Sequence, residues 1–326
     1  MTELPKEKNP TLEEGEPVDY STEVESSAPA ESSASETVSV STPSSGKEDP
    51  PGSSRTSRRS DGSEGLVEES LPSREELNQG LNTLQRRVCA LSEPRGQMDA
   101  AARCLFQMGS SLAAEVLNEL HMGFRSDGGR EAYMGVARLL MGEKELPYHM
   151  KQPLYTVARN RGYLSVAYSI LRPPAHRKRG AGECMVPDPP ESDRTLGERK
   201  ARARSRDRFI LDRVVRDPDP TVVANVLQNP KLRERDVVRI AATRPVQSAV
   251  LLQLARHRKW MTARLVQVAL VSNPFTPPFV ALALLPLLDT REISRLASEN
   301  NLHLLVREAA AYIHEERMKG KRRMKP

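Results

Sequence analysis

The chain has 326 residues, room for about two domains, with 38% apolar and only 4% aromatic residues. Its longest apolar run, Phe279 to Leu288, is ten residues long and holds Pro286, too short to span a bilayer. Three cysteines (Cys89, Cys104 and Cys184), odd in number, far apart and without a CxxC pair, argue against a disulfide framework or a zinc site.

Charge is unevenly spread. Residues 1–70 carry 6 Lys/Arg against 16 Asp/Glu, a net of −10, and residues 71–326 carry the other 43 against 27, a net of +16. An acidic arm is thus joined to a basic body, an asymmetry that points to contact with the body or with a partner. The opening "MTELPKEKNP" is polar and lacks the apolar core of a signal peptide. With the cysteine pattern, this gives the expectation of a soluble cytoplasmic protein that does not enter a membrane.

Residues 1–72 read as a long disordered arm, because "ESSAPAESSASETVSVSTPSSG" has too few apolar side chains to offset the entropy of ordering. Order is expected from Ser73, where Ser73 and Glu76 have capping-box spacing. Leu77, Leu81, Leu84, Val88 and Leu91 then form one apolar stripe along a helix of roughly four turns, stopping near Pro94 and packing on its own domain. Further helices are expected over 97–121, 130–141, 151–160 and 163–171, with Gly162 at a turn between the last two. Together, 73–171 is a helical N-terminal subdomain. The Pro-rich 172–194 is a linker or loop. Thr195 and Glu198 form a second capping box, expected to start a helix of about 20 residues running to Arg216.

From 217 onward one rule recurs: an apolar residue followed by apolar residues three and four later. It is met from Val223, Val238, Leu251, Val266, Val280, Ile293 and Val306, spaced 15, 13, 15, 14, 13 and 13 residues. About 14 residues hold a helix of roughly ten, about 15 Å long, and a tight turn. Helices that short are marginal alone and must stack on one another. Pro230, Pro245, Pro274 and Pro277 punctuate them, each expected just before a helix, with Asn229 and Asn273 as local caps. The expected fold is all-α: an α-solenoid of short stacked helices over 195–316, followed by a basic disordered tail over 317–326.

The segments "DPDPTVVANVLQNPKLRERDVVRIAA" (217–242) and "LVQVALVSNPFTPPFVALALL" (265–285) resemble leucine-rich repeat variant units, and the first also resembles short HEAT-like repeats. The resemblance spans about 217–314 and implies a right-handed helical superhelix used for binding, with no catalytic residues to carry over.

No reaction chemistry is marked. The six histidines have no metal spacing, and His314-Glu315 opens like HExxH but meets Met318. Neither nucleotide-binding glycine motifs nor a nucleophile elbow is present. The chain therefore reads as non-catalytic, with no cofactor, no metal and no small-molecule substrate inferred. The stronger signal is basic. "RKARARSRDR" (199–208) would set Arg199, Arg202 and Arg206 along one helix face. Arg239, Arg258, Lys259 and Arg264 add to it, and Trp260, the only Trp, could stack on a base, although a Trp at a turn more often packs on the adjacent helix. The expected function is a helical scaffold that binds a protein partner with an acidic surface through this basic one. The alternative is a binder of the nucleic-acid phosphate backbone through the same residues.

If the arm shields the basic body in cis, deleting residues 1–72 strengthens retention on immobilised heparin, so that elution needs more salt. Unchanged elution refutes the shielding.

Overall fold

The computed structural model describes residues 71–124, 127–142, 146–177 and 193–323, with side chains to 320. The acidic arm to residue 70, Cys184 and most of the 172–194 segment lie outside the described residues. Among the described residues the fold is all helical: fourteen α-helices, two short 3-10 turns and no strand. No helix among them is long and apolar enough to cross a membrane.

The Ser73 capping box forms as read. The Ser73 amide donates to Glu76 Oε2 at 2.7 Å and the Glu76 amide to Ser73 Oγ at 3.2 Å. The helix it starts, α1 (Arg74–Cys89), buries Leu84 and Val88 against α2 (Pro94–Met122) and α3 (Asp127–Leu140), while Leu91 lies beyond its end and is exposed. The α2 helix is broken at Gly109, whose φ of 72° is a left-handed value that favours glycine. A helical pair follows, α4 (Tyr148–Asn160) and α5 (Leu164–Ile170), joined by a turn in which Gly162 also has φ 72°.

Thr195 and Glu198 also form their capping box. The single helix expected from there to Arg216 is instead two: α6 (Leu196–Ala203) and α7 (Arg208–Val214). The break has a local cause. Asp207 accepts the Phe209 amide at 2.9 Å as the N-cap of α7, and its own amide donates to Ser205 Oγ at 3.1 Å. A side chain that caps a new helix competes with continuation of the old one.

Then come α8 (Pro220–Leu227), α9 (Glu234–Ala242), α10 (Ser248–Arg256), a 3-10 turn at Trp260–Thr262 and α11 (Arg264–Val271). Next are α12 (Pro278–Leu284), a 3-10 turn at Leu285–Leu287, α13 (Thr290–Ala297) and α14 (Leu304–Arg323). Each of the seven apolar triplets falls on one of α8 to α14. Among their members only Ala242 is exposed, and Val238, Ala269 and Ala297 are half-buried. Helices α6, α8 and α10 pack in one row, and α9 packs beside α11 in another. Helices that pack along a row are thus two elements apart in the chain. Val223 of α8 corresponds to Leu251 of α10, 28 residues on, twice the spacing of the individual triplets.

The prolines work differently from the expectation. Pro277 does adjoin a helix, and Pro220 and Pro278 occupy the first helical position, where the missing N–H has no partner to lose. Pro230, Pro245 and Pro274 instead lie in the turns, several residues ahead of the next helix. The asparagine before the proline does more. Asn229 accepts the Lys231 amide at 2.9 Å and donates to the carbonyls of Ala203 and Ser205, at 2.8 and 2.7 Å. Asn273 repeats the arrangement: it accepts the Phe275 amide at 3.1 Å and donates to Ala241 and Thr243 at 2.7 and 3.0 Å. Both side chains are buried. Each shapes its own turn and closes the carbonyl end of an earlier helix, α6 or α9.

The N-terminal helices and the paired ones share one core. Helix α12, apolar on every side, is buried among α3, α5, α11 and α14. The carbonyls around it are met by side chains from distant elements: Tyr133 donates to Ala283 and Arg130 to Leu287, while Arg317 donates to both Pro286 and Leu288. The basic C-terminal segment expected to be disordered from residue 317 is therefore corrected. Residues 317–323 are the end of α14, and Arg317 is one of its internal anchors, while 324–326 lie outside the described residues.

Replacing Asn273 with Ala removes the donor to one buried and one part-buried carbonyl and the acceptor for one buried amide. The expected loss is about 2–3 kcal/mol, read as a lower urea midpoint at unchanged slope.

Candidate functional site: an arginine-bearing face

The eight residues singled out from sequence do not form one surface. Arg199 is committed inward, its Nη1 lying 2.7 Å from both carboxylate oxygens of the buried Asp217. Arg202 is half-buried on α6, and Arg206 sits in the turn after that helix, so the expected Arg199–Arg202–Arg206 face is not formed. Arg264 is paired with Asp289 and Glu292. Trp260 is 4% exposed and donates its indole N–H to Leu227 O at 3.1 Å, closing the end of α8. Its ring has no open face for a base, a correction that follows from its place inside the stack. Lys259 lies over that ring, Nζ 4.2 Å from the centroid. Arg258 is exposed and donates to Ser92 O at 3.1 Å, and Arg239 is exposed on α9.

A different set is brought together by the packing. Arg208, at the start of α7, donates to both oxygens of the fully buried Asp236 on α9, at 2.7 and 2.6 Å, and pairs with Asp212 as well. These bonds hold the Asp236 carboxyl below the usual carboxylate range, helped by the Arg233 amide. Helix α9 packs on α11. Arg264 of α11 reaches the start of α13, and Arg295 of α13 returns to Ser272 Oγ at 3.2 Å. Helices α7, α9, α11 and α13 are thus linked in sequence.

With their apolar stripes turned inward, these helices carry Arg235 and Arg239 (α9) and Arg291 and Arg295 (α13) on exposed positions. Arg213 of α7 lies over the ring of Phe209, Cζ 4.3 Å from its centroid. Phe209 is 65% exposed and Leu265 of α11 is 60% exposed, so two bare apolar side chains lie on the helices that carry the arginines. From sequence, Arg239 was found and the others were missed. Charge pattern alone did not mark them, because the break between α6 and α7 that places Arg213 on its own helix was not read.

One hydroxyl–imidazole cluster lies in the core. The hydroxyl of Ser165 lies 3.0 Å from His121 Nδ1, and His121 Nε2 lies 3.3 Å from the Tyr133 hydroxyl. A carbonyl can only accept, so Tyr133 gives its proton to Ala283 O at 3.0 Å. Its oxygen then accepts from Nε2–H, and Nδ1 accepts from Ser165. The chain of bonds is satisfied, and all three residues are at most 2% exposed. It is a structural network in the core rather than a nucleophile facing a substrate. Burial, aided by the positive charge of Arg317, pushes His121 down to about 3 from its ordinary 6.5.

No family model, no curated protein and no solved structure matches the chain.

Because His121 stays neutral when folded, the unfolded chain alone takes up this proton below pH 6.5. Stability is therefore complete above that pH and falls by about 1.4 kcal/mol per unit from this group as pH drops toward 3. Chemical denaturation across pH 4–7 checks it against a His121→Asn variant, whose dependence is expected to be shallower.

Proposed function

We propose that this chain is a non-catalytic helical-repeat scaffold that holds a protein partner with an acidic surface. The contact face is the outer side of α7, α9, α11 and α13. The observation that carries this reading is the company of Phe209 and Leu265, 65% and 60% exposed, with the exposed arginines of the same helices. Arginine and aromatic side chains dominate the energetics of protein interfaces, and bare apolar groups gain from being covered. The leucine-rich repeat variant resemblance of residues 217–314 supports a binding role of this kind. In this reading the protein works in the cytoplasm, in keeping with the free thiols of Cys89 and Cys104.

The second reading, a binder of nucleic-acid backbone, draws on the same arginines, which suit phosphate oxygens as well as carboxylates. It gives no role to Phe209 and Leu265.

Affinity purification from the native cell, with and without nuclease, separates the two. Partners are expected to survive nuclease and to be lost with an Arg235→Glu, Arg239→Glu, Arg295→Glu variant. Phe209→Ala is expected to weaken the isolated complex about tenfold or more, with little change in its salt dependence. Loss of all partners on nuclease treatment favours nucleic acid, and retention of the same proteins by the triple variant refutes the face.

A further inference from the structure

A second feature lies away from the arginine face. The turn after α1, the start of α2, helix α3, the region between α10 and α11, and α11 itself line a cleft of about 390 Å³. That is within the range of small-molecule sites. Helix α3 lines it with Asp127, Arg130, Glu131, Met134 and Arg138, spaced three to four residues apart and so on one helical face. Arg258 lines it from the opposite element.

Two guanidinium groups meet here. Arg138 donates to Gln97 Oε1, and Gln97 is itself held by a 2.8 Å bond from its Nε2 to Leu91 O. Arg258 donates to Ser92 O at 3.1 Å. Each of these is one bond from a group with five donors, so the anchoring fixes both heads and leaves donor capacity for an incoming acceptor. Burial and then the charge of Arg258 push Arg138 below the ordinary arginine range, while Glu131 acts the other way. Two positive charges lining one cleft oppose each other, and an anion bound between them removes that cost.

The cleft also asks for a donor. Gln267 is fully buried and lines the cleft; its Nε2 donates to Met261 O at 2.7 Å, while its Oε1 has no hydrogen-bond partner among the described residues. A buried acceptor without a donor is expensive. Asp127 and Glu131, both exposed, add further acceptors. The lining therefore calls for a dianion that also bears hydroxyl groups.

We propose that this cleft binds a small sugar phosphate. The phosphate is held between Arg138 and Arg258, and the hydroxyls donate to Gln267, Asp127 and Glu131. The proposal is independent of the partner-binding face: of these residues only Gln267 lies on one of its helices, α11, and it is fully buried there.

Thermal unfolding of the full chain tests it with ribose 5-phosphate as the probe. At saturation the probe is expected to raise Tm by about 2–4 °C or more, inorganic phosphate by less and ribose not at all. Arg258→Gln, at an exposed position, and the conservative Arg138→Lys are both expected to lose most of the rise. Arg235→Glu, on the arginine face, is expected to keep it. The proposal is overturned if ribose 5-phosphate gives no rise or if the rise is undiminished in Arg258→Gln. It is equally overturned if Arg235→Glu abolishes the rise, which would mean that the anion binds the outer face.

Discussion

Short helices are expensive in unpaired carbonyls. An α-helix leaves its last four C=O groups without a partner inside the helix, whatever its length. In helices of seven to nine residues, such as α6 to α13, that is about half of the acceptors. Buried in a stack, those groups cannot turn to water, so the fold depends on donors brought from elsewhere. This chain meets the constraint largely with side chains. Asn229 and Asn273 close α6 and α9, and Trp260 closes α8. Arg172 and Arg256 reach the end of α3, at Leu140 and Met141, and Arg244 reaches Ser272 after α11. Arg317 alone joins the end of α2 to the turn after α12.

This changes the meaning of the basic composition. A net charge of +16 over residues 71–326 reads from sequence as a surface made for polyanions. Much of it is spent inside. Arg161 donates to Ser111 O and pairs with Glu115, Arg199 is bound to Asp217, and Arg208 is bound to Asp236. A guanidinium suits that task better than an ammonium, since its planar fork reaches two acceptors at once while its stem packs on apolar neighbours. What remains outside is a smaller set, and its arrangement, more than its sum, bears on binding.

Helical character, the two hydroxyl–glutamate capping boxes and all seven apolar triplets were legible in the sequence, because each rests on contacts within four residues. The longer-range facts were not. That Asn229 would close a helix ending 26 residues earlier, or that Tyr133 would meet Ala283, is written in no local pattern. The split between α6 and α7 was missed because charge periodicity across 199–208 continued through Asp207, whose capping role needs the following apolar turn to be docked. Trp260 left two readings open in the sequence, base stacking and packing on an adjacent helix, and the packing one holds for a similar long-range reason. Its neighbours Arg258 and Lys259 are exposed, and only the end of α8 beneath the ring explains its burial. Arg317 looked solvated until α14 was seen to pack along α13, α5 and α12, with its guanidinium on the Leu288, Pro286 and His121 carbonyls.

The two bracing asparagines are each followed by proline, Pro230 and Pro274. Asparagine side chains age by attack of the next residue's backbone nitrogen on the carboxamide, which ends in an aspartate or isoaspartate. A proline nitrogen, already tertiary in the amide and without a hydrogen, closes that route. At Asn229 and Asn273 an aspartate would set a negative charge against two carbonyl oxygens inside the stack. The dipeptide that shapes the turn thus also protects it against slow chemical decay over the lifetime of the molecule.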